Sequence, residues 1–201
     1  QARLDPAMVA ATFERYWAEF QARAAGARPW KDYTPYETRA IGSFVRLGWR
    51  DRLDGLLAFF MADRRPAAWN QWAEVVGRDP REIRFIGDMP HAWVASDFVR
   101  GVLDMFAWER RDDGALVLGG GLSGGWLTGT GSSISGLATP YGRLDFSMRG
   151  DKRRLVVTVG GGARPPGGFV LAWPFEGTPP PGRIDGRPVQ WRGGALSFPA
   201  T

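Results

Sequence analysis

Apolar residues recur every three to four positions over the first half of the chain, a spacing that predicts amphipathic helices. The first helix is predicted to begin at Asp5-Pro6, a capping residue followed by proline in the first turn, and to stop at Gly26. The positions on its apolar face are Val9, Phe13, Tyr16, Trp17 and Phe20. The second helix is predicted to open at Thr34-Pro35-Tyr36-Glu37, a capping box that contains proline, and to stop at Gly48.

Two further helices follow in the same half. One runs from about Arg50 and ends before Pro66, and the other starts at Asp88-Met89-Pro90. Their apolar faces carry Leu53, Leu56, Leu57 and Phe60 in the first, and Val94, Phe98, Val102, Met105 and Phe106 in the second. Residues 64–88 between them have weak periodicity, and a connection of that length in a compact domain is usually functional or holds a short element of its own.

In the second half, apolar residues alternate with polar ones in short runs separated by glycine and proline, a pattern typical of strands. Strands are predicted at 115–118, 144–148, 155–159, 169–173, 188–191 and 195–198. Many short strands at this spacing predict an antiparallel β-sandwich.

Composition changes at the same place as periodicity. Residues 1–110 contain seven of the ten tryptophans and only seven of the 28 glycines, whereas residues 111–201 contain the other 21 glycines. The sequence therefore predicts an α+β protein with a helical segment at 1–110 and a β-sandwich domain at 111–201.

Charge and residue usage narrow the possible partners. The net charge is +5, but arginines are scattered among acids and the longest basic run is Lys152-Arg153-Arg154, so we expect no nucleic-acid partner. No apolar run approaches the roughly 18 residues of a membrane helix, so no membrane partner is expected either. Cysteine is absent and His91 is the only histidine, which excludes disulfides and a histidine-rich metal site.

Two glycine triplets, 119–121 and 160–162, invite comparison with phosphate-binding loops. Neither is accompanied by the lysine or the strand–loop–helix frame that such loops require, so we interpret both as turns and expect no cofactor.

Three short segments occur in an order that resembles a known family. They are Trp69-Asn70-Gln71-Trp72-Ala73-Glu74, then Gly87-Asp88-Met89-Pro90-His91-Ala92-Trp93, then Leu137-Ala138-Thr139-Pro140-Tyr141-Gly142-Arg143-Leu144. Together they resemble the C-terminal part of α-L-rhamnosidase-like six-hairpin glycosidases, covering about residues 30 to 175. The resemblance implies part of an (α/α) toroid followed by a β-sandwich, an inverting glycoside hydrolase activity, and an oligosaccharide or glycoside as substrate. It also favours a periplasmic or secreted location.

The helix count restricts that interpretation. A six-hairpin barrel has twelve helices, and 110 residues hold about four long ones. We therefore expect either a fragment of a larger enzyme or a chain that completes the barrel with a partner chain, and favour the fragment. On this view the 201-residue chain alone hydrolyses no glycoside, because the general acid lies upstream.

Glycoside hydrolysis needs two carboxyl groups, one to protonate the leaving oxygen and one to activate water or attack carbon. The preferred catalytic base is Glu74, flanked by Trp69 and Trp72, whose indole faces suit sugar rings. The open alternative is that Glu74 is a solvated loop acid and both tryptophans are core anchors. Asp32 is the second-choice carboxylate, since Glu37 is explained by the capping box with Thr34.

The remaining candidates are polar or aromatic residues that can contact a sugar. Asn70 can donate to and accept from hydroxyls, and His91 can bind a hydroxyl. The full set of candidate substrate contacts is Trp69, Asn70, Trp72, Tyr36, Asp88, His91 and Trp93. For His91 the alternative is a structural histidine at a helix start, and for Asp88 a helix cap. The alternative function is a non-catalytic carbohydrate-binding or structural module, in which these aromatics only pack.

Overall fold

The computed structural model describes residues 4–64, 67–79 and 87–200. The chain forms two compact units, Gln1–Val102 and Leu103–Thr201. The first contains helices and the second mainly strands, which confirms the α+β class. The predicted connection at 64–88 falls partly outside the described residues, at 65–66 and 80–86.

The long helices begin and end largely at the predicted signals. Their bounds are α1 Pro6–Ala24, α2 Arg39–Leu47, α3 Arg50–Ala62 and α4 Ala92–Phe106. Asp5 accepts a hydrogen bond from the backbone N–H of Ala7 at 2.9 Å, so the predicted cap of α1 is confirmed. Gly48 ends α2 in the left-handed conformation, with φ of 74°.

The second predicted helix is divided in two. Pro35–Thr38 forms a single 3₁₀ turn, and α2 begins only at Arg39. Thr34 caps this turn, since its side chain accepts from the backbone N–H of Tyr36 at 3.4 Å. The proline in the capping box therefore starts a tight turn, and the regular helix follows it.

The predicted start of the fourth helix at Asp88 is wrong, because α4 begins at Ala92. Backbone groups of Asp88 and His91 bond to another segment, and the helix takes up only the carbonyl of His91, which accepts from the N–H of Ala95 at 3.2 Å. The N–H of Glu74 donates to the carbonyl of Asp88 at 3.2 Å, and the N–H of His91 donates to the carbonyl of Trp72 at 3.0 Å. These contacts hold 88–91 in a non-helical path beside 72–74.

The core of the first unit is built from the faces predicted for the helices. Its fully buried members include Ile41, Phe44, Leu53, Leu56 and Phe60. A side chain at Gly101 of α4 would have its Cβ 2.9 Å from Cβ of Ile41, so this glycine allows close contact with α2. Burial of these large side chains supplies the main stabilising free energy of the unit.

A short antiparallel ladder in the first unit was not predicted. β1 Asp32–Tyr33 pairs with β2 Val76–Gly77, with Asp32 opposite Gly77 and Tyr33 opposite Val76. A 3₁₀ turn at Ala67–Trp69 precedes β2. The ladder places the chain before Tyr36 next to the chain that follows Glu74.

The second unit contains the predicted strands and several that were not predicted. A four-stranded sheet consists of β3 Ala107–Arg110, β4 Ala115–Leu118, β8 Phe169–Ala172 and β11 Ala195–Phe198. Their order in the sheet is β11-β8-β4-β3, in which only β4 and β8 are parallel. β3 lies at the end of residues 1–110, the range predicted to be a helical segment.

The other strands of this unit are antiparallel. β5 Ser132–Thr139, β6 Gly142–Gly150 and β7 Leu155–Gly161 form a meander, and β9 Gly182–Ile184 pairs with β10 Arg187–Val189. A short helix, α5 Gly124–Leu127, precedes β5. Leu144, Phe146 and Met148 of β6 are buried, which agrees with the alternation that predicted this strand.

Candidate functional site

Three segments that are distant in sequence meet in the first unit, at residues 34–36, 72–74 and 87–91. The side chain of Thr34 donates to the backbone carbonyl of Glu74 at 2.8 Å. Two backbone hydrogen bonds, described above, join 72–74 to 88–91. This framework brings together four of the predicted site residues, here called the Tyr36 cluster: Tyr36, Glu74, Asp88 and His91.

Tyr36 and His91 are directly hydrogen-bonded. The phenol oxygen lies 2.6 Å from Nε2 of the imidazole, and the two rings meet edge to face with centroids 5.4 Å apart. His91 is buried, at 7% exposure, while Tyr36 is half-buried. On the other side of the imidazole, Nδ1 lies 3.8 Å from Oδ2 of Asp88, whose side chain is 87% exposed.

The ring of Tyr36 is also covered by an arginine. The guanidinium carbon of Arg39 lies 4.4 Å from the ring centroid, and its Nε donates to Oδ2 of Asp97 at 2.6 Å. The cation–π contact and the ion pair together link α2, α4 and the 3₁₀ turn that carries Tyr36. They hold the aromatic ring in place beside His91.

The pKa of the Tyr36 phenol is raised. Partial removal of the hydroxyl from water is the largest cause, and the negative charge of Glu74 is the next; Arg39 acts in the opposite direction. Tyr36 therefore remains a neutral hydroxyl at physiological pH, able to donate one hydrogen bond and accept others.

Glu74 is half-buried, and its carboxylate lies directly against the backbone of Gly87. A Cβ at position 87 would overlap both Cβ and Oε2 of Glu74. Gly87 also has φ of 71°, a conformation that residues with side chains rarely adopt. The glycine at this position thus lets the carboxylate occupy its place in the cluster.

The predicted tryptophans separate into one buried and two exposed residues. Trp72 is 4% exposed, its Nε1 donates to the carbonyl of Phe60 at 2.9 Å, and its ring lies 4.8 Å from that of Phe98. Trp72 therefore lies in the core, as the alternative interpretation held. That interpretation also placed Trp69 in the core, and for Trp69 it is wrong. Trp93 is 69% exposed with its ring 6.1 Å from that of His91, and Trp69 is 58% exposed.

Two other residues predicted to belong to the site, Asn70 and Asp32, are exposed to solvent. Asn70 follows the Ala67–Trp69 turn with φ of 56°, a left-handed conformation that asparagine tolerates better than most residues. Asp32 is exposed in β1, two residues before Thr34. It lies on the strand that leads into the cluster.

The capping-box role predicted for Glu37 is wrong. Its carboxylate accepts from the Tyr16 hydroxyl at 2.9 Å and from both terminal nitrogens of Arg23, at 2.9 and 2.5 Å. The pair is largely buried, with 15% exposure for the Arg23 side chain and 20% for that of Glu37. A bidentate, partly desolvated arginine is a stronger partner for a carboxylate than one backbone N–H.

Sequence reasoning gave no site role to three residues that shape the cluster: Arg39, Gly87 and Asp97. Only Gly87 carried a signal, since a glycine at the start of a proposed site segment can mark close backbone approach. The contact between Arg39 and Asp97 spans 58 positions and has no local signature.

Within residues 4–64, 67–79 and 87–200, the structure has no group of three or more His, Asp or Glu side chains placed to hold a metal ion. Nor does any helix in the described part of the chain have the length and apolar character to cross a bilayer. Comparison of the chain with protein-family models, curated protein sequences and solved structures finds no match.

Proposed function

We propose that this chain is the C-terminal part of a carbohydrate-active glycoside hydrolase of the inverting six-hairpin type, and that Glu74 is its catalytic carboxylate. The observation that supports the proposal is the convergence of Glu74, Tyr36 and His91 beside the exposed indole of Trp93. A carboxylate, two hydrogen-bonding rings and an apolar aromatic face are the groups that saccharide sites combine.

The finer architecture is part of the same proposal. Residues 1–110 form part of an (α/α) toroid, and residues 111–201 form the β-sandwich that follows it. Four long helices that begin in the first unit, and sheets in the second that are antiparallel except for the β4–β8 pair, are compatible with this arrangement. The remaining helices come from the rest of a longer parent chain or from a partner chain.

In this mechanism Glu74 acts as general base. Its carboxylate takes a proton from a water molecule that attacks the anomeric carbon, while an acid across the glycosidic bond protonates the leaving oxygen. Inverting enzymes place the two carboxyl groups about 6.5–9.5 Å apart to accommodate that water. The acid is supplied by the remainder of the enzyme. Within this chain, Asp32 is the second choice after Glu74 for the catalytic carboxylate.

Exposure of two tryptophans favours a second candidate, a non-catalytic carbohydrate-binding module. Trp69 and Trp93 present indole surface to solvent, and exposed aromatic faces bind sugar rings without any need for catalysis. In this alternative Glu74 is a hydrogen-bond acceptor for a sugar hydroxyl and has no chemical role.

Hydrolysis of a panel of aryl glycosides tests the two proposals. The 201-residue chain should release no phenol, and the longer parent chain should turn over at least one substrate. Turnover by the 201-residue chain alone contradicts a shared active site. If the parent chain binds saccharides but hydrolyses none of the panel, the binding module is the correct function.

A further inference from the structure

The hydrogen bond between Tyr36 and His91 has a direction, and that direction decides what Tyr36 offers to a ligand. A neutral imidazole carries one proton, so one ring nitrogen donates and the other accepts. If Nε2 accepts, the Tyr36 hydroxyl donates to it and its oxygen lone pairs face the ligand. If Nε2 donates, the phenol proton is available to the ligand instead.

The surroundings of the imidazole favour the first arrangement. Nδ1 faces the carboxylate of Asp88, with 3.8 Å between Nδ1 and Oδ2. A negative charge at this distance stabilises a proton on Nδ1, which leaves the Nε2 lone pair for the Tyr36 hydroxyl at 2.6 Å. The short distance between phenol oxygen and Nε2 suits an O–H donor directed at a nitrogen acceptor.

The charge near Tyr36 keeps the phenol protonated, which its donation to His91 requires. Glu74, Asp88 and Asp97 all raise the pKa of the phenol, and Arg39 lowers it while it is paired with Asp97. The phenol therefore keeps its proton and can donate it to His91. Glu74, the nearby carboxylate, can only accept when ionised.

We propose that His91 fixes the Tyr36 hydroxyl as a hydrogen-bond acceptor towards the ligand, so that Tyr36 and Glu74 together select a saccharide hydroxyl that donates. This specificity rests on the proposed function, since it assigns the ligand class of the same site. Tyr36 is the residue that contacts the ligand, and His91 is a positioning residue that acts through it. Two acceptors beside an exposed indole suit a neutral, hydroxyl-rich sugar ring.

The tautomer of His91 tests the positioning role without any ligand. Nitrogen-15 NMR of the imidazole in the full 201-residue chain, in neutral buffer, should show the proton on Nδ1 and a hydrogen-bonded, unprotonated Nε2. The proposal is overturned if the dominant form carries a proton on Nε2, either as the neutral Nε2–H tautomer or as the imidazolium protonated on both nitrogens. The proposed function would still stand in that case, because a donating Tyr36 can also bind sugars.

A series of monodeoxyfluoro sugars tests the ligand class, because fluorine replaces a hydroxyl without being able to donate. The unmodified sugars D-glucose, D-galactose and L-rhamnose are first titrated into the protein. The fluorinated series is then made from whichever sugar binds. One fluorinated position should weaken binding by about fivefold, the value of a typical single hydrogen bond.

A double-mutant cycle assigns that loss to Tyr36. In the Tyr36→Phe variant the same fluorinated sugar should bind no more weakly than its parent, whereas the Tyr141→Phe control should behave like the wild type. If Tyr36→Phe weakens binding but no fluorinated sugar does, Tyr36 donates to the ligand and the proposal is wrong. If none of the three sugars binds, the ligand class assigned here to Tyr36 is wrong. The proposed function fails separately, if the parent chain neither binds nor hydrolyses any glycoside of the panel.

Discussion

The phenol oxygen of Tyr36 lies 2.6 Å from Nε2 of His91, although 55 positions separate the two residues in the chain. Each lies at the start of a helical element, Tyr36 in the 3₁₀ turn before α2 and His91 directly before α4. The segment 72–74 completes the contact, since its backbone bonds to both Thr34 and His91. The candidate site is therefore a property of three chain segments and of the core that holds them together.

The two tryptophans near the cluster should respond in opposite ways to replacement by alanine. Trp93→Ala should weaken saccharide binding while the free energy of unfolding changes by less than about 0.5 kcal/mol, because the indole is 69% exposed. Trp72→Ala should cost about 3–5 kcal/mol, because it removes a buried ring and the partner of the Phe60 carbonyl. Urea denaturation and calorimetric titration measure both quantities. A Trp93 variant that is as destabilised as the Trp72 variant would place Trp93 in the core.

Replacement of Gly87 by alanine should be more costly than replacement of Gly48. Both glycines have positive φ, 71° and 74°, so alanine at either position should lower the free energy of unfolding by about 1–2 kcal/mol through the backbone conformation alone. A Cβ at position 87 also overlaps the Glu74 side chain, whereas no described atom lies within 4 Å of a Cβ at position 48. The overlap should add about 1–3 kcal/mol. Urea denaturation compares the two variants, and equal losses of stability would mean that Gly87 does not position Glu74.

The buried tyrosines predict that the protein loses stability in alkali. Tyr16 donates to Glu37 at 2.9 Å and Tyr33 donates to Asp63 at 2.8 Å. Burial is the largest cause that raises the pKa of both phenols above the usual tyrosine value of 10.0, and the neighbouring carboxylates add to it.

The direction in which stability changes with pH follows from the different proton affinities of the folded and unfolded states. Because the folded state keeps protons that the unfolded chain releases, this contribution to stability is complete below pH 10.0 and is lost as the pH rises above it. Each tyrosine should contribute a slope of about 1.4 kcal/mol per pH unit. Denaturant unfolding above pH 10.0 should therefore show a flatter pH dependence in Tyr16→Phe than in wild type or in the Tyr141→Phe control. Equal slopes in all three proteins would contradict the assignment.

The sequence predicted those elements whose signals are local. Asp5-Pro6 and Gly48 mark helix ends by backbone chemistry that operates within a few residues, and the structure confirms both. Short apolar runs between turns likewise predicted the strands at 115–118 and 195–198, which the structure contains. The start of α4 was not, because Asp88 and His91 bond to Glu74 and Trp72, which no local pattern reveals.

The sequence identified residues of the candidate site but did not predict how close together they lie. Tyr36, Glu74 and His91 stood out by residue type, but their proximity depends on contacts that span many positions. Glu37 illustrates the limit, since the capping-box spacing is correct while Arg23, fourteen residues earlier, takes the carboxylate. Trp72 and Trp93 look alike in sequence, and only packing distinguishes the core residue from the exposed one.

Turnover of an aryl glycoside by the parent chain, compared between Glu74→Gln and the control Glu176→Gln, tests the central claim most directly. Glu74→Gln removes the proposed base but keeps the shape of the side chain, so kcat should fall by about 10²- to 10⁴-fold, the usual contribution of such a residue. Glu176 is exposed in the second unit, and its variant should keep wild-type activity. Circular dichroism and unfolding of both variants confirm that the fold is retained. Near-wild-type turnover by a folded Glu74→Gln enzyme would remove Glu74 from the mechanism.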